Sequence, residues 1–361
     1  TVTYDLTGPA VTINQGGAQA DPTNSSPVTF TAVFSEAISP ASFTNGDITL
    51  GGTATGLAVV SRTSADNITW TITISATGEG TIIPSIAAAT VTDAAGNDNT
   101  ASSSTDNSVT YDITAPTVTI NQTGGQNDPT NVSPVSFTAV FSEAINPASF
   151  TNGDITISGT ATGTSIASRT SADNITWTIT IGATGSGTII PSIAAGAVQD
   201  PGGNNNTLST STDNSVTLDI TPPSVAINQS GGQSDPTNTS PFSFTAVFSE
   251  PINPASFADA DITLGGTAAG QAVVTRTSAD NITWTITISA TGAGTIQPSI
   301  AASAVQDVAG NNSAASTSTD NTVTYDLTGP AVTINQDGAQ ADPTNSSPVT
   351  FTAVFNEAIN P

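Results

Sequence analysis

The chain has 361 residues and a net charge of −25, because three arginines, with no lysine or histidine, stand against 28 Asp and Glu residues. This charge repels nucleic acid and anionic lipid, whose binding depends on clustered Lys and Arg, so we expect no nucleic-acid partner. The absence of cysteine excludes disulfides and thiolate metal ligands. No run approaches the roughly 18 apolar residues of a membrane-spanning helix, so we expect no membrane insertion in this segment.

One short motif sets the organisation of the chain. A stretch of the form Asp-Xaa-Thr-Xaa-Pro recurs with its aspartates at Asp5, Asp112, Asp219 and Asp326, always 107 residues apart. A fixed period of this kind indicates a tandem array of similar domains. We predict the end of a preceding repeat at 1–5, full repeats at 6–112, 113–219 and 220–326, and a partial repeat with strands A and B at 327–361.

Strand patterns follow one another along each repeat, and no window shows the 3.6-residue apolar period of a helix. Residues 28–34 and 70–74 alternate apolar residues with threonine over most of their length, as expected of half-buried strands. We predict about seven strands per repeat, in the first repeat near 10–15, 28–35, 47–50, 55–62, 69–76, 81–87 and 106–111. An all-β, antiparallel two-sheet sandwich follows.

The strand order also predicts where the acids lie. If successive strands run in opposite directions, the loops after the second, fourth and sixth strands lie at the end where the chain enters the repeat. Five periodic acids of the first repeat lie in or beside these loops, namely Glu36, Asp47, Asp66, Asp93 and Asp106. We therefore expect all five to point toward the joint that carries Asp5.

Carboxylates that converge without bases repel one another unless a cation binds between them. Oxygen ligands from separate loops suit Ca²⁺ better than a transition metal, so we predict a calcium ion at each joint. The alternative is that the joint aspartate caps a turn and accepts backbone N–H bonds. The candidate ligands are Asp5, Glu36, Asp93 and Asp106 at the first joint, Asp112, Glu143, Asp200 and Asp213 at the second, and Asp219, Glu250, Asp307 and Asp320 at the third.

A second motif with an aspartate, a glycine and an asparagine begins at Asp93, Asp200 and Asp307. Its side chains and tight turn would suit a calcium loop, although it lacks the twelve-residue EF-hand pattern. An Asx-type turn explains the same residues. Both interpretations stay open from the sequence alone.

Each repeat also has one tryptophan and one arginine. Trp70, Trp177 and Trp284 lie on an alternating strand, which predicts core packing and argues against carbohydrate stacking. The arginines at 62, 169 and 276 precede an acidic hairpin, where we expect a local ion pair of under about 1 kcal/mol with Asp66, Asp173 or Asp280.

The residue composition gives little support for a catalytic function. A chain without His or Cys cannot form a Ser-His-Asp or Cys-His arrangement. Paired carboxylates could serve a glycosidase, but the same pair would recur in every repeat, and an array of identical enzymes is an unusual design. We therefore expect no enzyme activity.

The motif order resembles that of a known family. Asp112-Ile113-Thr114-Ala115-Pro116, Phe34-Ser35-Glu36-Ala37-Ile38, Asp93-Ala94-Ala95-Gly96-Asn97 and Ser108-Val109-Thr110-Tyr111-Asp112 resemble the bacterial Ig-like repeats of large repetitive surface proteins and biofilm-type adhesins. The resemblance implies tandem Ig-like antiparallel β-sandwiches in an extended array. It also implies an extracellular, cell-surface location and a stalk role, often with calcium rigidifying related repeats.

The expected function is thus a structural spacer segment of an extracellular cell-surface fibre or adhesin, with calcium at the joints. Two alternatives stay open, an adhesive module that binds a surface glycan or protein through its loops, and a subunit of a self-assembling extracellular filament. In each case the expected partners include neighbouring repeats or copies of the same protein.

Overall fold

The computed structural model describes residues 4–359, so the first three residues of the predicted segment 1–5 and the last two of 327–361 lie outside the described residues. The chain divides into two compact units, one that ends at Leu218 and one that begins at Asp219. The repeat boundaries given above stay a prediction.

The first unit contains two sandwiches, each with seven strands among the residues described. The first is formed by β1 (Val11–Gln15), β2 (Val28–Phe34), β3 (Ile48–Gly51), β4 (Ala58–Thr63), β5 (Thr69–Ser75), β6 (Gly80–Ile86) and β7 (Val109–Tyr111). The second is formed by β8 (Val118–Gln122), β9 (Val135–Phe141), β10 (Ile155–Ser158), β11 (Ser165–Thr170), β12 (Thr176–Gly182), β13 (Gly187–Ile193) and β14 (Val216–Leu218).

The second unit contains one further sandwich and a hairpin. The sandwich is formed by β15 (Val225–Gln229), β16 (Phe242–Phe248), β17 (Ile262–Gly265), β18 (Ala272–Thr277), β19 (Thr283–Ser289), β20 (Gly294–Ile300) and β21 (Val323–Tyr325), and the hairpin by β22 (Val332–Gln336) and β23 (Phe351–Phe355). The helical structure in residues 4–359 is limited to single 3₁₀ turns at Asn45–Asp47, Asn152–Asp154, Pro254–Ser256 and Asp259–Asp261. None of these turns has the length or apolar character of a membrane-crossing helix.

Each sandwich packs a four-stranded sheet on a three-stranded one. In the first repeat the sheet orders are β1-β2-β5-β4 and β3-β6-β7, and the corresponding strands of the other two sandwiches follow the same order. All strand pairs are antiparallel, as in β2 and β5, where Phe30 faces Ile72. This four-plus-three arrangement is that of an immunoglobulin constant-type sandwich, which confirms the predicted fold class.

Alternation explains why these segments form strands. In β5 the residues at Trp70, Ile72 and Ile74 turn inward and are nearly or fully buried, while threonines occupy the outer face. Because side chains alternate across a strand, one face supplies the core and the other meets water. The predicted core role of Trp70, Trp177 and Trp284 is confirmed, since their exposed fractions are 5%, 5% and 6%.

Aromatic rings close one end of the core. Phe43 makes edge-to-face contacts with Phe34, at 5.6 Å between ring centroids, and with Trp70, at 5.2 Å. The guanidinium of Arg62 lies over Phe43 at 5.3 Å from the centroid, and its Nε donates to Asn45 Oδ1 at 3.0 Å. The expected ion pair with Asp66 is therefore wrong, because the arginine turns inward onto the rings.

The segment between β6 and β7 follows the free edge of β1. Ser103 forms a parallel bridge with Thr12, and Gln15 N donates to Asp106 O at 2.7 Å. The seventh strand consequently begins at Val109, three residues later than the predicted start at 106. This path carries Asp106 to the end of β1 that is farthest from the entry joint.

The loop between β1 and β2 forms hydrogen bonds with the last residues of the repeat. Asp21 Oδ1 accepts a hydrogen bond from Thr110 N at 2.9 Å, and Asp112 N donates to Thr23 O at 2.9 Å. These bonds place Asp112 at the end of the first sandwich, where the second begins.

Candidate metal centre

Three carboxylate clusters recur within residues 4–359. In each one, a ligand oxygen from every member lies within 4.8 Å of the others. Each cluster combines a joint aspartate, a glutamate just after the second strand of a repeat, and the first residue of the Asp-Xaa-Xaa-Gly-Asn turn. The members are Asp5, Glu36 and Asp93, then Asp112, Glu143 and Asp200, then Asp219, Glu250 and Asp307.

Main-chain bonds of the linker position the second cluster. Ser142 N donates to Thr117 O at 2.9 Å, and Thr117 N donates to Ser142 Oγ at 3.0 Å, so the linker after Asp112 is fastened to the end of β9. Glu143 follows Ser142 directly and therefore faces the joint. The strand-parity argument predicted this meeting of joint and loop.

The turn at Asp200 supplies the third member. Asp200 is 1% exposed, and its Oδ1 accepts from Asn204 N at 2.8 Å. The side-chain amide of Asn204 donates to Asp200 Oδ2 and also to Asp112 O, both at 3.0 Å. The residue thus forms an Asx-type turn and joins the carboxylate cluster, so the two interpretations of this motif are compatible.

The pKa values of the cluster glutamates are raised, whereas that of Asp93 is lowered. Burial raises the pKa of Glu143, and the nearby charges of Asp112, Asp200 and Glu79 raise it further. The pKa of Glu250 is raised by burial and by Asp219 and Asp307. In contrast, the side-chain hydrogen bond from Asn97 holds the pKa of Asp93 below its ordinary value, with further bonds from backbone N–H groups.

The first cluster follows the same rule for its glutamate. The pKa of Glu36 is raised by burial, and then by the charges of Asp5 and Asp93. Negative charge is therefore crowded at all three joints, and in each cluster it raises the pKa of the glutamate.

The second joint has an additional carboxylate that the repeat pattern did not reveal. Thr114 Oγ1 donates to Glu79 Oε2 at 2.5 Å, and Glu79 lies with Asp112 and Glu143 along one open groove. The equivalent positions in the next two repeats are Ser186 and Ala293. Because Glu79 is not periodic, only a comparison of repeats at this position could have pointed to it.

Three predicted ligands do not join these clusters, namely Asp106, Asp213 and Asp320. The prediction was wrong because the segment after β6 runs along β1 before it reaches Asp106, as described above. There, Asn14 Oδ1 accepts a hydrogen bond from Asp106 N at 2.9 Å. Asn121 and Asn228 accept the equivalent bonds from Asp213 and Asp320.

Two more acids that were expected at the joint, Asp47 and Asp66, instead accept hydrogen bonds within their own turns. Asp47 Oδ2 accepts from Thr44 N at 2.6 Å, which stabilises the 3₁₀ turn before β3. Asp66 Oδ1 accepts from Ile68 N and Thr69 N, at 2.9 and 2.8 Å, and the bond from Thr69 is the first cause of the lowered pKa of this residue. Local backbone donors satisfy both carboxylates.

The donor set of the second cluster fits a hard divalent cation. Its members contribute carboxylate oxygens from three separate segments, and the chain contains no lysine or histidine to neutralise them. Calcium takes six to eight oxygen ligands in flexible geometry, so three carboxylates leave room for carbonyl oxygens and water. Asp112, Glu143 and Asp200 are the residues that would hold it.

One part of the chain is similar to a known protein family. None of the curated proteins compared with the chain matches it. Residues 5–111 match the family model of the bacterial Ig-like domain, which confirms the resemblance inferred from the motifs. The two following repeats have the same strand order. Residues 5–111 are thus similar to a bacterial Ig-like domain, and they form the first of three sandwiches with the same strand order.

Proposed function

We propose that this chain is a structural spacer segment of an extracellular cell-surface fibre or adhesin, in which a calcium ion at each joint limits motion between successive repeats. One observation carries the proposal. The last aspartate of a repeat lies with two acids of the following repeat at Asp112, Glu143 and Asp200, and the same three residue types meet at Asp5 and at Asp219.

The electrostatics support a cation at these positions. In the second cluster, burial and three neighbouring carboxylates raise the pKa of Glu143. A divalent cation would remove this repulsion and join residues on both sides of the linker. The bond from Asn204 to Asp112 O already ties the same two segments. Neighbouring repeats are thus the first partners of each repeat.

The surface location rests on the family. Bacterial Ig-like domains are typical of surface proteins, and this assignment covers residues 5–111. The threonine-covered outer faces of the sheets and the excess of acids suit a protein surrounded by water.

Calorimetry with and without chelator tests the calcium proposal. Binding to the native state alone stabilises it, by about 2.7 kcal/mol when free calcium is 100 times the dissociation constant. We expect calcium to raise the melting temperature of the chelator-treated protein, and magnesium to raise it less, because magnesium demands stricter geometry. An unchanged melting temperature with calcium would contradict the proposal.

A matched pair of variants assigns the effect to the cluster. Asp112→Asn should reduce the response to calcium, whereas Asp213→Asn removes the same charge outside the clusters and should leave the response intact. Small-angle scattering of both variants then tests the spacer role. Calcium should narrow the distribution of particle dimensions for Asp213→Asn more than for Asp112→Asn, and equal distributions with and without calcium would exclude a stiffening role.

A further inference from the structure

The turn before the third strand of a repeat differs among the three repeats at one pair of residues. Asn45-Gly46 and Asn152-Gly153 are the only two Asn-Gly sequences in the chain, and the third repeat has Asp259-Ala260 at this position. All six residues are exposed. The third repeat therefore carries from synthesis the acid that loss of ammonia from the asparagine would create.

The same arginine contacts the variable residue in every repeat. Arg62 Nε donates to Asn45 Oδ1, and Arg169 Nε donates to Asn152 Oδ1, each at 3.0 Å. In the third repeat Arg276 Nε forms an ion pair with Asp259 Oδ1 at 2.6 Å. The turn accepts a carboxylate at this position with its strand order unchanged.

The guanidinium of the arginine packs on aromatic rings of the core. Arg169 lies 5.0 Å from the ring centroid of Phe150 and 5.7 Å from that of Trp177. Because these rings are buried in the core, the arginine N–H is fixed before any reaction at the asparagine takes place.

We propose that Asn45 and Asn152 are sites of spontaneous deamidation, and that the product carboxylate is captured by Arg62 or Arg169 in the ion pair seen at Asp259. In the first step the main-chain nitrogen of Gly46 forms a bond to Cγ of Asn45. The Cγ–Nδ2 bond breaks, ammonia leaves with the proton from the glycine nitrogen, and a succinimide remains. Water then opens this ring at either of its two carbonyl carbons and yields aspartate or isoaspartate, and the aspartate has the side-chain carboxylate that pairs with the arginine.

Two features of the turn favour this chemistry. Glycine has no Cβ to obstruct ring closure, and apart from its two chain neighbours the only atom within 4 Å of a Cβ built on Gly46 is Thr44 Oγ1, at 3.6 Å. In addition, the Nε–H of Arg62 donates to Asn45 Oδ1, the oxygen on which negative charge develops when the nitrogen attacks Cγ. Ring closure requires the 3₁₀ turn to open, so the contacts of Asp47 with Thr44 set how often the reaction begins.

Peptide mapping by mass spectrometry tests the proposal on the intact chain. After incubation in ¹⁸O-labelled water at mildly alkaline pH, Asn45 and Asn152 should convert to labelled acid at least about tenfold faster than Asn67, which precedes a β-branched isoleucine. Gly46→Ala should slow conversion at Asn45 severalfold and leave Asn152 as an internal reference. Equal conversion of Asn45 and Asn67 in the wild-type protein would overturn the proposal.

One further variant tests the arginine, and another tests the Asn-Gly turn. Arg62→Gln should slow conversion at Asn45 relative to Asn152 in the same molecule, and an unchanged ratio would refute the participation of the arginine. The double variant Asp259→Asn/Ala260→Gly rebuilds the turn over Arg276 and disturbs neither of the other repeats. On incubation the asparagine at position 259 should convert to aspartate and isoaspartate, and a stable asparagine there would contradict the proposal even if Arg62→Gln failed to fold.

Discussion

The side-chain amide of Asn204 donates to the main-chain oxygen of Asp112 across 3.0 Å, so the second repeat grips the last residue of the first. The equivalent bonds run from Asn97 to Asp5 and from Asn311 to Asp219, at 3.3 and 2.8 Å. The asparagine four residues after the first aspartate of each turn thus joins that turn to the linker at all three positions.

Replacement of Asn204 by alanine should loosen this joint. The change removes the bonds to Asp112 O and to the carboxylate of Asp200, which together stabilise the turn by about 1–3 kcal/mol. Hydrogen exchange of the 198–206 amides should accelerate by about tenfold or more. Asn205→Ala, an exposed neighbour that accepts a bond from Gln199, is the matched control and should leave this protection nearly unchanged.

The stability of the cation-free joint should depend on the protonation of Glu143. Its pKa is raised in the folded state, first by burial, so the folded protein binds this proton more tightly than the unfolded chain does. The resulting stabilisation is complete below the ordinary glutamate pKa and is lost as pH rises through the raised value. In chelator, the melting temperature of the wild-type protein should rise relative to that of Glu143→Gln as pH falls from about 7 toward 5.

At still lower pH, the hairpin aspartates act with the opposite sign. Backbone bonds, first from Thr69, hold the pKa of Asp66 below its ordinary value. Its contribution is present above the ordinary aspartate pKa and is lost as pH falls through the folded-state value. A melting temperature of the wild-type protein that fell continuously from neutral pH downward, in parallel with Glu143→Gln, would contradict the assignment to Glu143.

Loss of Phe150 should unfold one sandwich before the others. This ring is fully buried and contacts Phe141 and Trp177 at 5.7 and 5.1 Å between centroids. Phe150→Ala should cost about 3–5 kcal/mol because it leaves a cavity under Arg169. Calorimetry should then show a separate, earlier transition. Val140→Ala, at a residue 41% exposed on the outer face, should leave a melting profile close to that of the wild type.

Removal of Glu79 should weaken calcium binding at the second joint only. Glu79 adds negative charge beside Asp112 and Glu143, and the third repeat has Ala293 at this position. Glu79→Ala should therefore raise the calcium dissociation constant of one site roughly threefold to tenfold, as measured by titration calorimetry. Asp337→Asn, which removes a non-periodic acid of the second unit, serves as control. Equal effects of the two variants would indicate a general charge effect.

The strands and the core were predictable from alternation alone. In β5 the threonines face outward and Ile72 and Ile74 face inward, as the alternating sequence predicted. The parity of the strands also predicted that Glu36 and Asp93 lie near the joint, where the structure places them. The position of Asp106 was not predictable in this way. It depends on main-chain bonds such as that from Ile13 N to Ser103 O, which any residues could make and which leave no period in the sequence.

The role of the amides at the joints was equally hard to infer. Asn204 was visible as part of a turn motif, but its second bond to Asp112 O joins residues 92 positions apart. Such a contact follows from the packing of one repeat on the linker. No local rule of turn chemistry includes it.

Charged side chains and apolar side chains occupy different parts of each repeat. Throughout the described residues 4–359, every Asp and Glu lies outside the strands, and the arginines of β4, β11 and β18 turn onto aromatic rings. Protons and salt therefore act on the loops and linkers that carry the acids, while heat and denaturant act on the apolar interiors. Under the proposed function, the flexibility of the chain would change with the divalent ions of the medium while each sandwich stays folded.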